Sequence, residues 1–369
     1  MKIDVVIGTR PEAIKLAPVV RALNDYGGFT VRTIFTGQHT SLMAGIETLF
    51  DLRPDLTLDA MPANASLNEL NARLLTQLGS SFSACRPDVV VVQGDTSSAF
   101  YGALAAYNEQ IPVAHVEAGL RTGDRYAPWP EELHRSALAR IAELHFAPTR
   151  KAFDQLKKEG CTNVHLTGNT VVDALQWIRA AHPSALTSTT PRKQILVTVH
   201  RREAFDSQLE QIFRAIRYLV DQHDEVDVLF PVHLNPVVQD MAKRYLADHP
   251  RINLCAPLNY LEMVHAMESS YLLMTDSGGL QEEAPSYQLP TLVLREKTER
   301  TEAIDAGVAH LCGTDFDAIV KAAHRLITDQ AAHAAMRKSG NPFGDGLAAI
   351  RIAEILVHHF APNPEMSTL

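Results

Sequence analysis

Asp88-Val89-Val90-Val91-Val92-Gln93-Gly94-Asp95-Thr96 is an unbroken apolar run that ends on a glycine and an acid. Its four consecutive valines show no polar alternation, which suits a strand buried on both faces, as in a parallel sheet. The same unit recurs along the chain: a short Val- and Ile-rich run, a turn signal, then a longer helical pattern. Ile3–Ile7 and Val31–Phe35 precede it, and Val113–Val116, Leu144–Phe146 and Val164–Leu166 follow. The second half repeats the pattern at Ile195–Val199, Val226–Phe230, Ile252–Leu254, Tyr271–Met274, Thr291–Leu294 and Ala309–Leu311. Strands alternating with helices imply right-handed βαβ crossovers, so each half reads as a doubly wound, Rossmann-like α/β domain.

A chain of 369 residues accommodates two such domains. The polar, proline-bounded stretch from His182 to Pro191 has linker chemistry, placing the domains at 1–182 and 191–346. Asn341–Gly346 is a second punctuation mark, followed by a last helical pattern over 347–360; the tail from Pro362 is expected to fray.

Composition excludes several classes. With 46% hydrophobic and 21% charged residues the chain is neither disordered nor fibrous. Thirty-four Lys and Arg against 43 Asp and Glu leave a net charge of −9, which disfavours broad binding to nucleic acid or an anionic membrane. An anion would have to be held by a few placed cations and helix N-termini. Cys85, Cys161, Cys255 and Cys312 lie far apart, as in a reduced, intracellular protein. The first residues do not read as a signal peptide, and no run approaches a membrane span, so the expected location is the cytoplasm.

Ligands of open α/β sheets bind outside the carboxyl ends of the strands. Those ends here carry Gly8-Thr9-Arg10-Pro11-Glu12, Thr36-Gly37-Gln38-His39, Gln93-Gly94-Asp95-Thr96 and Glu117-Ala118-Gly119-Leu120-Arg121. In the second half they carry His200-Arg201-Arg202-Glu203, His233, Asp276-Ser277-Gly278-Gly279 and Arg295-Glu296. Two such rims suggest a cleft with the site between the domains. Asp276–Gly279 leads from a strand into a helix, an arrangement that suits either a phosphate or a tight turn capped by Asp or Ser. Arg10, Lys15, His200 and Arg300 are the candidate partners of a diphosphate, although Arg10 and Arg300 also fit solvated helix starts. Asp95, Glu117, Glu131 and Glu132 are candidate acids and bases; the structural alternatives are an N-cap for Asp95 and an i, i+4 ion pair between Glu131 and Arg135. The dinucleotide pattern G-x-G-x-x-G, the phosphate loop, a nucleophilic serine elbow and metal-ligand spacings are missing, so no cofactor or metal is expected.

Long blocks in order resemble the non-hydrolysing UDP-N-acetylglucosamine 2-epimerases. They are Gly8-Thr9-Arg10-Pro11-Glu12-Ala13-Ile14-Lys15, His115–Asp124, Pro128-Trp129-Pro130-Glu131-Glu132, Leu166–Thr170, His200–Glu203, Pro231–Pro236 and Thr275–Gly279. The resemblance implies two Rossmann-like domains of the glycosyltransferase B arrangement, a homodimer, a C-terminal helix 347–360 that packs back on the first domain, and exchange of UDP-GlcNAc with UDP-ManNAc. It implies acid/base roles for Asp95, Glu117 and Glu131, and leaving-group assistance from His200. Arg10 and Lys15 would contact the diphosphate. Ser277, Gly278 and Gly279 would hold phosphate, Glu283 the ribose, Met263 the uracil, and Arg300 would complete the nucleotide site. Gln38, His39 and Arg73 are the residues retained for a second, activating UDP-GlcNAc site, in a loop lacking the family's usual Arg. Met263 replaces the frequent Phe, and His134 the usual Asn. The alternatives are a hydrolysing epimerase that releases UDP and ManNAc, and an epimerase of a related UDP-sugar.

Overall fold

The computed structural model describes residues 1–38, 40–61, 65–183, 192–199, 206–338 and 340–360, and for 40–44 and 206 the backbone alone. The chain forms two compact units, Met1–Trp177 with Gly344–Leu369, and Ile178–Phe343.

The first unit runs β1 (Lys2–Ile7), α1 (Arg10–Tyr26), β2 (Thr30–Phe35), α2 (Thr40–Leu49), β3 (Leu56–Thr57), α3 (Leu67–Ala84), β4 (Val89–Gln93), α4 (Ser97–Asn108), β5 (Val113–Val116), α5 (Glu131–Ile141), β6 (Leu144–Ala147), α6 (Arg150–Lys158), β7 (Val164–Leu166) and most of α7 (Thr170–Ala181). Its strands lie in the order β3-β2-β1-β4-β5-β6-β7, with every pair parallel. The valine run forms the middle strand, and Val89–Val92 are completely buried, as a strand covered by helices on both faces requires. Removing each such side chain from water stabilises the fold by about 1.5–3 kcal/mol. β3, two residues that pair with Ile34 and Phe35, has no apolar run to announce it and exists only through that pairing.

The second unit runs β8 (Lys193–Thr198), α8 (Asp206–Gln222), β9 (Val226–Pro231), α9 (Pro236–Leu246), β10 (Ile252–Cys255), α10 (Tyr260–Ser269), β11 (Leu272–Thr275), α11 (Gly278–Glu283), β12 (Thr291–Val293), α12 (Thr301–Asp305), β13 (Ala309–Leu311), α13 (Phe316–Thr328) and α14 (Gln330–Met336). The sheet order is β10-β9-β8-β11-β12-β13, again with every pair parallel. Its core joins Val197, Phe213, Leu219, Phe230 and Ile319. Finally α15 (Ala348–Phe360) returns to the first unit and packs on α1.

The division falls inside α7, just ahead of the stretch expected to be a linker, of which residues 184–191 lie outside the described residues. The last turn of α7 makes its contacts in the second unit. Arg179 faces Glu268 there, and His265 Nε2 lies 3.2 Å from the His182 carbonyl. Among the described residues no helix is long and apolar enough to cross a membrane.

Each sheet reverses its strand order once, between β1 and β4 and between β8 and β11. At such points the connections diverge to opposite faces and open a crevice at the carboxyl ends.

Candidate active site

Glu117 directly follows β5 and has φ of 60°, a left-handed conformation that costs a non-glycine residue about 1–2 kcal/mol. Its carboxylate is tied down on two sides. Lys15 Nζ lies 2.5 Å from Oε2, and Gln93 Nε2 donates to the same oxygen at 2.7 Å. The topology explains the meeting: Gln93 ends β4 opposite Val116 of β5, and Lys15 sits in α1, which leaves β1 on the other side of β4. Two residues on, Gly119 is required. Its φ is +97°, and a Cβ there would lie 2.4 Å from the Ala152 carbonyl oxygen. Lys15, expected at a diphosphate, is therefore bonded to a carboxylate in this structure. Gln93 stands in the rim block Gln93-Gly94-Asp95-Thr96 without an assigned role, although a polar side chain closing a valine run at a sheet rim is the kind of signal that marks one.

The loop from β4 to α4 carries Asp95. Thr96, not Asp95, caps α4, accepting the Ala99 N–H, so the reading of Asp95 as an N-cap is corrected. The expected Glu131–Arg135 pair is corrected too. Arg135 Nε donates to Asp95 Oδ2 at 2.6 Å, and its Nη1 to Glu132 Oε2 at 3.2 Å. Glu132 in turn accepts the Thr122 and Gly123 N–H groups and fixes the loop that precedes α5. The i, i+4 spacing favoured Glu131 only in an isolated helix; Asp95 on the adjacent loop captures the guanidinium instead. Among the described residues, the buried Glu131 Oε2 meets no hydrogen-bond partner.

Glu12 is a further rim residue without a role assigned from sequence. It is 1% exposed and joins two rims: Oε2 accepts from the Gly8 N–H and the Thr9 hydroxyl, and Oε1 from the Thr96 hydroxyl. Burial pushes its carboxyl up to about 7, against the lowering effect of those bonds. The folded state thus holds a proton between the ordinary value of 4.5 and about 7 that the unfolded chain has released. Its contribution to stability is full below that window and is lost as pH rises through it. The unfolding free energy of the wild type relative to Glu12→Gln should therefore fall from pH 5 to about pH 7 and level off above it in urea titrations. A pH-independent difference would contradict this. His115, on β5, donates from Nε2 to the Gly94 carbonyl at 2.7 Å, and burial pulls it down to about 3, so it stays neutral.

Gln38 Oε1 accepts from the Ser98 hydroxyl at 2.8 Å, and Ser98 also bonds Thr36. Arg73 is exposed on α3, Arg10 is partly exposed at the start of α1, and His39 lies outside the described residues.

In the second unit, Thr198 and Thr275 hydroxyls meet at 2.6 Å where β8 and β11 end. Ser277 then opens α11 without using its hydroxyl as a cap, so the side-chain-capped turn is corrected. Arg300 is not the exposed helix start that was one alternative. Its side chain is 12% exposed, donates from Nε to Glu282 at 2.9 Å and also pairs with Glu299. The guanidinium lies against Gly278, where a Cβ would be 3.2 Å from Arg300 Cζ. Gly278 and Gly279 thus present their backbone beside a fixed cation, the combination that anions select. Glu283 is buried on the same short helix, and Met263 is partly exposed on α10. His200, like Arg201, Arg202 and Glu203, lies outside the described residues.

Comparison with known proteins agrees over nearly the whole chain. The family described as UDP-N-acetylglucosamine 2-epimerase matches residues 21–357. A UDP-N-acetylglucosamine 2-epimerase of Bacillus subtilis is 43% identical over 370 residues, covering 99% of this chain and 97% of the relative. Among solved structures, a UDP co-structure of S. aureus MnaA superposes with a TM-score of 0.90 at 38% identity, covering 97% of this chain and 96% of the other. UDP-GlcNAc 2-epimerase of Neisseria meningitidis bound to UDP-GlcNAc gives 0.89 at 36% identity, covering 97% and 100%. On the family match and this extent of identity, the chain belongs to the UDP-N-acetylglucosamine 2-epimerase family.

Proposed function

We propose that the protein interconverts UDP-GlcNAc and UDP-ManNAc without releasing the sugar. The C2 hydrogen has no adjacent carbonyl to acidify it, so inversion proceeds by elimination. A carboxylate takes the C2 proton, the C1–O bond breaks, and UDP leaves with the electron pair, giving 2-acetamidoglucal. Protonation of C2 on the opposite face and attack of a UDP oxygen on C1 complete the exchange. The observation that carries this reading is the Glu117 carboxylate, held at 2.5 Å by Lys15 and 2.7 Å by Gln93 on a left-handed backbone. A base held in one orientation is what abstraction from one face of C2 needs.

Asp95 and Glu131 share the acid/base work on the two faces. Arg10 steadies the developing diphosphate charge, with His200 assisting departure, while Lys15 stays on the Glu117 carboxylate and orients it. Ser277, Gly278, Gly279 and Arg300 hold phosphate, Glu283 the ribose and Met263 the uracil. Gln38, His39 and Arg73 belong to a second, activating UDP-GlcNAc site. The enzyme works without cofactor, as a cytoplasmic homodimer that supplies an amino sugar for polysaccharide biosynthesis.

Proton NMR of UDP-GlcNAc with the purified protein in D2O, without added metal or nicotinamide, tests the reading. UDP-ManNAc should appear with deuterium at C2, and deuterium should then enter the substrate pool. Stoichiometric UDP and free ManNAc would instead mean hydrolysis, and an unchanged spectrum would point to another UDP-sugar.

A further inference from the structure

Asp95 is held from α5 by two consecutive residues. Arg135 takes its carboxylate at 2.6 Å, and His134 Nδ1 lies 2.8 Å from its backbone carbonyl oxygen. A carbonyl oxygen only accepts, so Nδ1 carries the proton and donates. The imidazole is 3% exposed. It stacks on Phe100, with centroids 4.9 Å apart and planes 13° apart, while Tyr101 meets its edge at 6.2 Å and 83°. Phe100 and Tyr101 belong to the first turns of α4, which starts immediately after the Asp95 loop. One ring therefore both fills the α4–α5 contact and fixes the peptide that carries Asp95.

We propose that His134 is a positioning residue for the reaction, setting the orientation of the Asp95 carboxylate relative to Glu131 through its bond to the Asp95 carbonyl. This rests on the acid/base reading of Asp95. Glu131 lies one helical turn before His134, so the clamp transmits the register of α5 to the spacing of the two carboxylates. Burial lowers the ring's tendency to take a second proton, against the raising effect of the Asp95 carbonyl and of the Asp95 and Glu131 carboxylates.

Two substitutions separate the ring's two tasks. His134→Phe keeps the stack and removes the donor. His134→Asn removes the stack but places an amide nitrogen where Nδ1 stood. Steady-state kinetics with UDP-GlcNAc should show kcat of His134→Phe lowered roughly 10- to 100-fold, as expected when a reacting group is misplaced without being removed. Its KM should stay within about twofold, and His134→Asn should recover kcat to within about threefold of wild type. Melting curves should show the Phe variant folded at the assay temperature with its Tm lowered by a few degrees, as expected for the loss of one buried bond. Unchanged kcat in His134→Phe, or a loss in His134→Asn as deep as in His134→Phe, would overturn the proposal. Asp95→Asn is the separate control. If it turned over like wild type, the reading of Asp95 would fall; if it lost most of its turnover, the Phe and Asn pair alone would decide the role of His134.

Discussion

Glu117→Gln is expected to lower turnover of UDP-GlcNAc by roughly 10²–10⁴-fold while leaving UDP affinity little changed. The amide has nearly the shape of the carboxylate and keeps an oxygen within reach of Gln93 and Lys15, so the left-handed backbone at 117 need not move. What disappears is the capacity to take a proton, together with the charge opposite Lys15. Because UDP lacks the reacting C2 hydrogen, its binding reports the nucleotide contacts alone. A selective loss of kcat would mark an interaction made in the transition state. Deuterium incorporation at C2 should fall in step with product formation. Near-wild-type turnover would show that another group removes the proton, and the division among Asp95, Glu117 and Glu131 would have to be redrawn.

Arg135→Met should be the most destabilising single change in the site, costing about 3–5 kcal/mol in urea unfolding. The guanidinium is 7% exposed and serves two carboxylates, Glu132 at 6% exposure and Asp95 at 23%. Methionine fills a similar volume but leaves a buried anion at Glu132 without its cation, and Glu132 is the residue that holds the Thr122 and Gly123 N–H groups. The loop before α5 should loosen, and activity should fall with it. Arg135→Lys should recover only part of both losses, since an ammonium cannot reproduce two bonds from a planar fork. Stability within about 0.5 kcal/mol of wild type in Arg135→Met would mean that solvent satisfies both carboxylates.

Particular residues show where reading the sequence reached its limit. Asp95, Glu117 and Glu131 were visible because they follow Val-rich runs or a Trp-Pro helix start, positions fixed by short-range chemistry. Arg135 was visible but assigned to Glu131, since spacing along one helix cannot see a loop from another strand. Gln93 and Glu12 stood in the rim blocks without an assigned role for the same reason: their value lies in partners 24 and 84 positions away. β3 was missed because two residues carry no periodicity.

By itself the sequence determined the strand–helix alternation, the parallel sheets and the rim on which polar chemistry gathers, because burial on both faces selects unbroken apolar runs and strand ends select glycine and polar residues. Only the tertiary structure decided which cation neutralises which carboxylate. Lys15 goes to Glu117, Arg135 to Asp95 and Glu132, and Arg300 to Glu282 and Glu299. The Lys15–Glu117 and Arg135–Asp95 pairs depend on the strand order that brings β1, β4 and β5 side by side, and the Arg300–Glu282 pair on the neighbouring β11 and β12, at distances of a few ångströms that no local propensity encodes.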